Sequence, residues 1–351
     1  MGHTTIGVRR ERPFKPSWID RFNDWIEDRS IPAWLAFVVF GFVLVAVQIL
    51  VLWLEGGLQA RDLLPVIVYN GLFTPYLLAL ICLLDHQALS ALRSMRSALD
   101  MTQSKFKTYE YRLSTMPFPL PLVVGLIMLT VVVLMEWFST TPVRYGALGQ
   151  FHVFRAVFQI VDKSSAFLFG VFIAHTIRQL RLVSRINANY VRINLFDRRS
   201  LQVFSTLTAS TAVGLLFGVY GWILINPDLL MDPVIFGFIA IMTVLAMTVF
   251  ALPLYGMHRR MAMAKERAIR EIDRRSQTIF STFNERVDAD DYAAVEILSG
   301  VIDSLEVQYN RISGIPTWPW RPEAVRFLLA AIALPLVLEI ILFLVGQAWG
   351  W

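Results

Sequence analysis

Between Phe151 and about Ile177, five polar side chains recur through an otherwise apolar stretch: His152, Arg155, Gln159, Asp162 and Lys163, at spacings of three, four, three and one. On a helix of about 3.6 residues per turn these positions share one face. Such a stripe of acid, bases, imidazole and amide has the chemistry to hold an ion, a charged small molecule or a moving proton. An ionisable side chain near a bilayer midplane costs about 2.5–3.5 kcal/mol on insertion scales, so the stripe must look into protein or water. Asp162 falls about eleven residues below the outer end of its segment, roughly 16 Å at 1.5 Å per residue, and Glu339 falls about as far below the outer end of the last apolar segment. Glu136 is within reach of Arg155, and Asn70, with Pro75 and Gln48, occupies the outer half of its own segment. The expectation is an outward hydrated cavity built from Arg155, Gln159, Asp162, Lys163, Glu339, Glu136, Asn70 and His152. The plainer alternative is a set of buried ion pairs that orient helices.

The elements that must position this stripe follow from composition. The chain has 351 residues, 56% hydrophobic and 17% charged, outside the range of ordinary soluble domains. Windows of about 20 apolar residues predict an all-α, polytopic membrane helix bundle. Its seven transmembrane helices are Ala33 to Leu54, Leu63 to Leu84, Phe118 to Phe138, Phe151 to Ile177, Leu201 to Ile225, Pro233 to Met257 and Ala324 to Trp349. Of the 32 Lys and Arg, 27 lie in the N-terminal stretch and three alternate connections. Positive residues stay on the cytoplasmic side, which predicts an N-terminus inside and a C-terminus outside. The organisation is a cytoplasmic N-terminal region (1–32), six spans with helical loops (33–257), cytoplasmic helices and a Pro/Trp linker (258–323), and a seventh span (324–351).

The net charge of +5 sits in loops beside helix ends. An anionic inner leaflet explains it better than nucleic acid, so the lipid bilayer is the expected partner. Cys82 is the single cysteine, which excludes an internal disulfide and any multi-cysteine metal site. His86, His175 and His258 read as interfacial histidines rather than haem ligands. Phosphate loops, zinc-protease motifs, nucleophile turns and dinucleotide fingerprints are missing from the sequence. No cofactor, no metal and no enzymatic activity are expected. A cleavable signal peptide is not expected either, because residues 1–16 are polar and basic with no short apolar core after them.

Ser17 and Asp20 have capping-box spacing for a short amphipathic helix with Trp18, Ile19, Phe22, Trp25 and Ile26 on one face and Asp20 away from it. That helix lies either flat on the membrane or against neighbouring helices. The loops after the second, fourth and sixth spans continue them as helices. A further helix, begun near Asp288 and run to Gly314, carries Val295, Leu298, Ile302, Leu305, Tyr309 and Ile312 as a narrow seam that needs a partner for assembly. Trp318 and Trp320, set among prolines, anchor the return to the membrane or hinge the last span to that helix. In the fifth span Ser210, Gly214 and Gly218 are four apart, the spacing that lets helices pack closely.

Seven spans with the N-terminus inside, short outer loops, cytoplasmic prolongations of the middle helices and a helix before the last span resemble the insect chemoreceptor-like superfamily of seven-transmembrane ion channels. The resemblance covers nearly the whole chain as architecture. It implies subunit contacts through the cytoplasmic helices, a pore lined by the last span and ligands in the outer half of each bundle. Ile340, Ile341 and Ala348 stand around Gln347 where that family carries its Thr-Tyr…Gln-Phe pattern, so no pore residue is assigned. The first expectation is therefore a homo-oligomeric ligand-gated channel or receptor-channel, a tetramer being one such assembly, taking a small molecule or ion in its outward cavity. A proton- or cation-coupled secondary transporter using Asp162 or Glu339 is one alternative. A membrane sensor or scaffold that acts through its cytoplasmic helices is the other. The default location is a bacterial plasma membrane, since the N-terminal region and loops lack sorting signals.

Overall fold

The computed structural model describes residues 13–57, 63–139, 150–192, 195–196, 198–226, 232–320 and 322–333, the side chains of 198–202 excepted. Among these residues the chain is helical without strands. In order come α1 (Trp18–Glu27), α2 (Ala33–Leu54), α3 (Leu64–Ser94), α4 (Gln103–Ser114), α5 (Pro119–Phe138), α6 (His152–Asn189), α7 (Arg198–Ile225), α8 (Pro233–Asp288) and α9 (Tyr292–Ser313). Six of them, α2, α3, α5, α6, α7 and α8, are long and apolar enough to cross a membrane. That architecture is consistent with an integral, multi-pass membrane protein. Of the seventh expected span, 322–333 begins as helix; Glu339 lies outside the described residues.

The two helices nearest the centre are α3 and α6. Their most buried side chains include Leu77, Ile81, Leu84, Phe158 and Phe172, and α2, α5, α7 and α8 pack around them. By contrast α2 is apolar on every side and leaves Trp34, Phe42 and Leu54 exposed, as a lipid-facing helix does. In hydrocarbon, close backbone approach supplies much of the adhesion between helices. At Gly170 of α6 a Cβ would fall 2.7 Å from the Val124 carbonyl oxygen of α5, and at Gly71 of α3 one would fall 2.9 Å from the Val45 nitrogen of α2. Neither place has room for any side chain.

Ser210, Gly214 and Gly218 lie along α7, which packs on α3. The Tyr76 hydroxyl donates to the Gly214 carbonyl across 2.7 Å and the Tyr69 hydroxyl donates to the Gly218 carbonyl. A Cβ at Gly214 would meet Leu80 and one at Gly218 would meet Phe73. Ser210 itself is half-buried. Small residues thus expose carbonyls that two half-buried tyrosines use as acceptors.

Extended α8 runs unbroken for 56 residues, roughly 84 Å at 1.5 Å per residue. Its second half projects past the α1 end of the bundle and pairs with α9 as an antiparallel hairpin. Asp291 caps α9 by accepting from the Ala294 amide, so the helix starts later than the expected Asp288, which instead ends α8. Lys265 donates to the Ser313 and Ile315 carbonyls at 2.6 and 2.9 Å. Arg260 donates to the Asn187 and Val191 carbonyls at the C-terminus of α6. Each cation satisfies helix-end carbonyls that carry partial negative charge. The α9 seam finds its partner in α8: Leu305 is buried and Leu298 and Ile302 are half-buried, while Tyr309 remains exposed.

Two further expectations change. The stretch from Asp85 to Leu113 is not one helix: α3 stops at Ser94, and Thr102 caps a separate α4 by accepting from the Lys105 amide. Asp20, expected to face away from α1's packed side, is buried, because its carboxylate accepts from the Ser17 amide and hydroxyl and from the Met116 amide at 2.8–2.9 Å. With Ile19, Asn23 and Ile26 also buried and Trp25 exposed, α1 is docked on α2 and α3. Its capping box at Ser17 forms as the spacing predicts.

Candidate functional site

The predicted outer stripe separates into parts. Lys163 donates to Asp162 across 2.9 Å and to Glu136 of α5. Glu136 therefore pairs with Lys163, about two helical turns from Arg155, its expected partner. The three charged groups are only partly exposed, 23% for Lys163, 21% for Asp162 and 39% for Glu136. Two carboxylates against one ammonium form a mutually satisfied triad. Gln159 is half-buried nearby on the helix, while Arg155 and His152 are exposed on the outer turns.

Asn70 belongs to a different seam. Fully within the interior, it donates to Gln48 of α2 at 3.0 Å and to the Phe158 carbonyl of α6 at 3.2 Å. One turn deeper, Thr74 and Ser165 share a 2.7 Å hydrogen bond. These bonds tie α2, α3 and α6 together with neutral groups, the least costly polar glue in a low-dielectric interior. Among the described residues the eight predicted cavity positions therefore form a charged triad, a neutral seam and an exposed outer turn, with Glu339 outside.

At the opposite end stands a buried cluster that sequence reasoning passed over. His175, expected near the inner end of its span, is fully buried and has Nε2 2.9 Å from Asp85 Oδ1 of α3. Gln179, one turn on, donates to the same oxygen at 3.0 Å and to the Leu113 carbonyl at 3.1 Å. Asp20 and Arg178 lie within electrostatic reach of this group. Burial pushes the Asp20 carboxyl above its ordinary range, and the hydrogen bonds from Ser17 and Met116 oppose that rise. His175 Nδ1, Thr176 Oγ1 and Gln179 Oε1 are buried with no hydrogen-bond partner among the described residues. Since Asp85 holds Nε2, the Nδ1 atom is the free end of a carboxylate–imidazole pair, an arrangement suited to proton exchange or to receiving one further polar group. The spacing of His175 and Gln179 on one face was a readable signal. Their meeting with Asp85, ninety positions earlier, was not.

Two smaller features complete the inventory. Trp318 and Trp320 do not simply face lipid: Phe250, Trp320, Trp318 and His258 stack in sequence, with centroid separations of 5.1, 4.4 and 3.8 Å. His258 Nδ1 is 3.2 Å from the Thr317 carbonyl. The linker after α9 is thus fastened to α8 over two turns. At the far end, the Glu55 carboxylate accepts from the Val153 and Phe154 amides at 3.0 and 2.8 Å, capping α6 from the end of α2. Those bonds hold the Glu55 carboxyl below the usual carboxylate range. Compared with known proteins, the chain matches no family model, no curated protein and no solved structure.

Proposed function

We propose that the chain is a membrane-embedded sensor that transmits its state through the α8–α9 hairpin. The observation that carries this reading is the single continuous α8. Its first half packs in the bundle against α6 and α7, and its second half carries α9. The ring stack ties the chain leaving α9 back onto the same helix. A tilt or rotation of α8 among the spans would therefore move the hairpin and the start of the last helix together. The polar groups of the outer half favour the sensor over a permeation path, because Lys163, Asp162 and Glu136 satisfy one another and Asn70 is bonded to Gln48. A cation-coupled transporter would need Asp162 available to its cargo, and that carboxylate is held by Lys163.

Hydrogen exchange tests the coupling. Replacing Trp318 and Trp320 by Ala should raise exchange throughout α9 by tenfold or more while α3 and α6 keep their protection. Unchanged exchange in α9 would remove the mechanical basis of the proposal. A second reading, an oligomeric ligand-gated channel, draws support from the exposure of His152 and Arg155 on α6, which a neighbouring subunit could cover. Native mass measurement with planar-bilayer recording separates the two: an oligomer with unitary currents favours the channel, and a silent protein favours the sensor.

A further inference from the structure

Cys82 and His86 stand one turn apart on α3, and Glu27, the last residue of α1, reaches them from across the helix pair. The Cys82 thiol is 3.1 Å from Glu27 Oε1, and His86 Nε2 is 3.8 Å from Glu27 Oε2. One ligand atom from each of the three residues lies within 4.8 Å of the other two. The buried thiol forms the floor, while the imidazole and carboxylate are open to solvent at 61% and 38% exposure. A cation could therefore reach the group.

The hydrogen bonding of His86 makes the arrangement more specific. Its Nδ1 is 2.9 Å from the Cys82 carbonyl oxygen. A carbonyl can only accept, so Nδ1 carries a hydrogen, and Nε2, 3.8 Å from Glu27 Oε2, is the ring nitrogen left to meet a cation. Ligands on a tetrahedral ion with bonds of about 2.1 Å are roughly 3.4 Å apart, between the 3.1 and 3.8 Å that Glu27 makes with Cys82 and His86. A ring that donates its second nitrogen to a backbone carbonyl is also the usual posture of a metal-binding histidine.

We infer that Glu27, Cys82 and His86 form a binding site for a divalent cation of the zinc type. Thiolate, imidazole and carboxylate together suit a borderline-soft ion better than magnesium or calcium. Three protein ligands leave a fourth position to water. Binding forms a metal–sulfur bond as the thiol releases its proton to solvent. The ion would clasp the end of α1 to α3, next to the half-buried Asp85 that holds His175. The inference stands apart from the sensor reading and does not need it.

Cobalt(II) is the probe, added to the full-length protein in detergent after treatment with a chelator. Cys82 is the single sulfhydryl of the chain, so a thiolate-to-cobalt charge-transfer band in the near ultraviolet can arise from this site alone. The expected result is such a band saturating at one equivalent, abolished by Cys82→Ser, and displaced by zinc. His86→Ala and Glu27→Gln should each weaken binding at least tenfold, while His152→Ala, at the far end of the bundle, leaves it unchanged. Absence of the band in the wild-type protein at saturating cobalt overturns the site, whatever the variants do. A band unaffected by both His86→Ala and Glu27→Gln overturns this ligand set.

Discussion

The two ends of α6 treat buried charge in opposite ways. Toward its N-terminus, Lys163 lies between Asp162 and Glu136, and all three remain partly open. Toward its C-terminus, His175 is fully enclosed, bonded through one nitrogen to Asp85 and left without a partner among the described residues at the other. The first arrangement compensates its charges locally and would tolerate loss of a member. The second concentrates several polar groups where water is scarce, so each depends on the rest. Completeness of pairing, rather than the number of polar residues, distinguishes a group that only holds helices together from one with bonding capacity to spare.

Breaking the enclosed pair should have the largest effect. Replacing His175 by Ala leaves the half-buried Asp85 with Gln179 as its hydrogen-bond donor and Arg178 within electrostatic reach, and removing one partner from a buried pair costs about 3 kcal/mol. The thermal midpoint in detergent should fall by several degrees, with Asp85→Asn closer to wild type because the amide still accepts from Gln179. A His175→Ala protein as stable as the parent would abolish the contrast between the two ends.

A smaller loss is expected in the triad. Lys163→Met should cost roughly 1 kcal/mol or less, since Asp162 and Glu136 are themselves partly exposed. A double-mutant cycle with Glu136→Gln measures the pair itself. Coupling as large as that between His175 and Asp85 would mean that the triad is a structural keystone after all.

Much of the fold was legible because its signals are local. Apolar length marked α2, α3, α5, α6, α7 and α8, and the Ser17–Asp20 spacing marked the cap of α1. The continuation of α6 and α8 beyond their apolar portions showed in helical periodicity. The polar clusters were harder, because which residues meet depends on helix rotation and vertical offset. Glu136 was assigned to Arg155 from depth alone, yet the crossing of α5 and α6 sets it beside Lys163. Asp20 was placed away from the apolar face, whereas the amides of Ser17 and Met116, which donate to its carboxylate, draw it inward. His175 looked interfacial from its distance to the end of an apolar window, a measure that cannot register the covering by α1 and α4.

The contrast between ends also predicts opposite responses to pH, small enough to need residue-level readout. Asp20 has a native pKa raised above its model-compound value of 3.8. Its contribution to stability is therefore complete below that value and is lost as pH rises through the raised native pKa. Glu55 has a native pKa lowered from 4.5, so its cap on α6 is complete above 4.5 and is lost as pH falls through the lower native value. Amide exchange, corrected for intrinsic rates, should show α1 better protected on acidification and the Val153 and Phe154 amides less protected. Asp20→Asn should flatten the first response and Glu55→Gln the second, each without altering the other. Parallel slopes at the two ends would mean that a shared global transition, rather than these two carboxyl groups, governs the acid response.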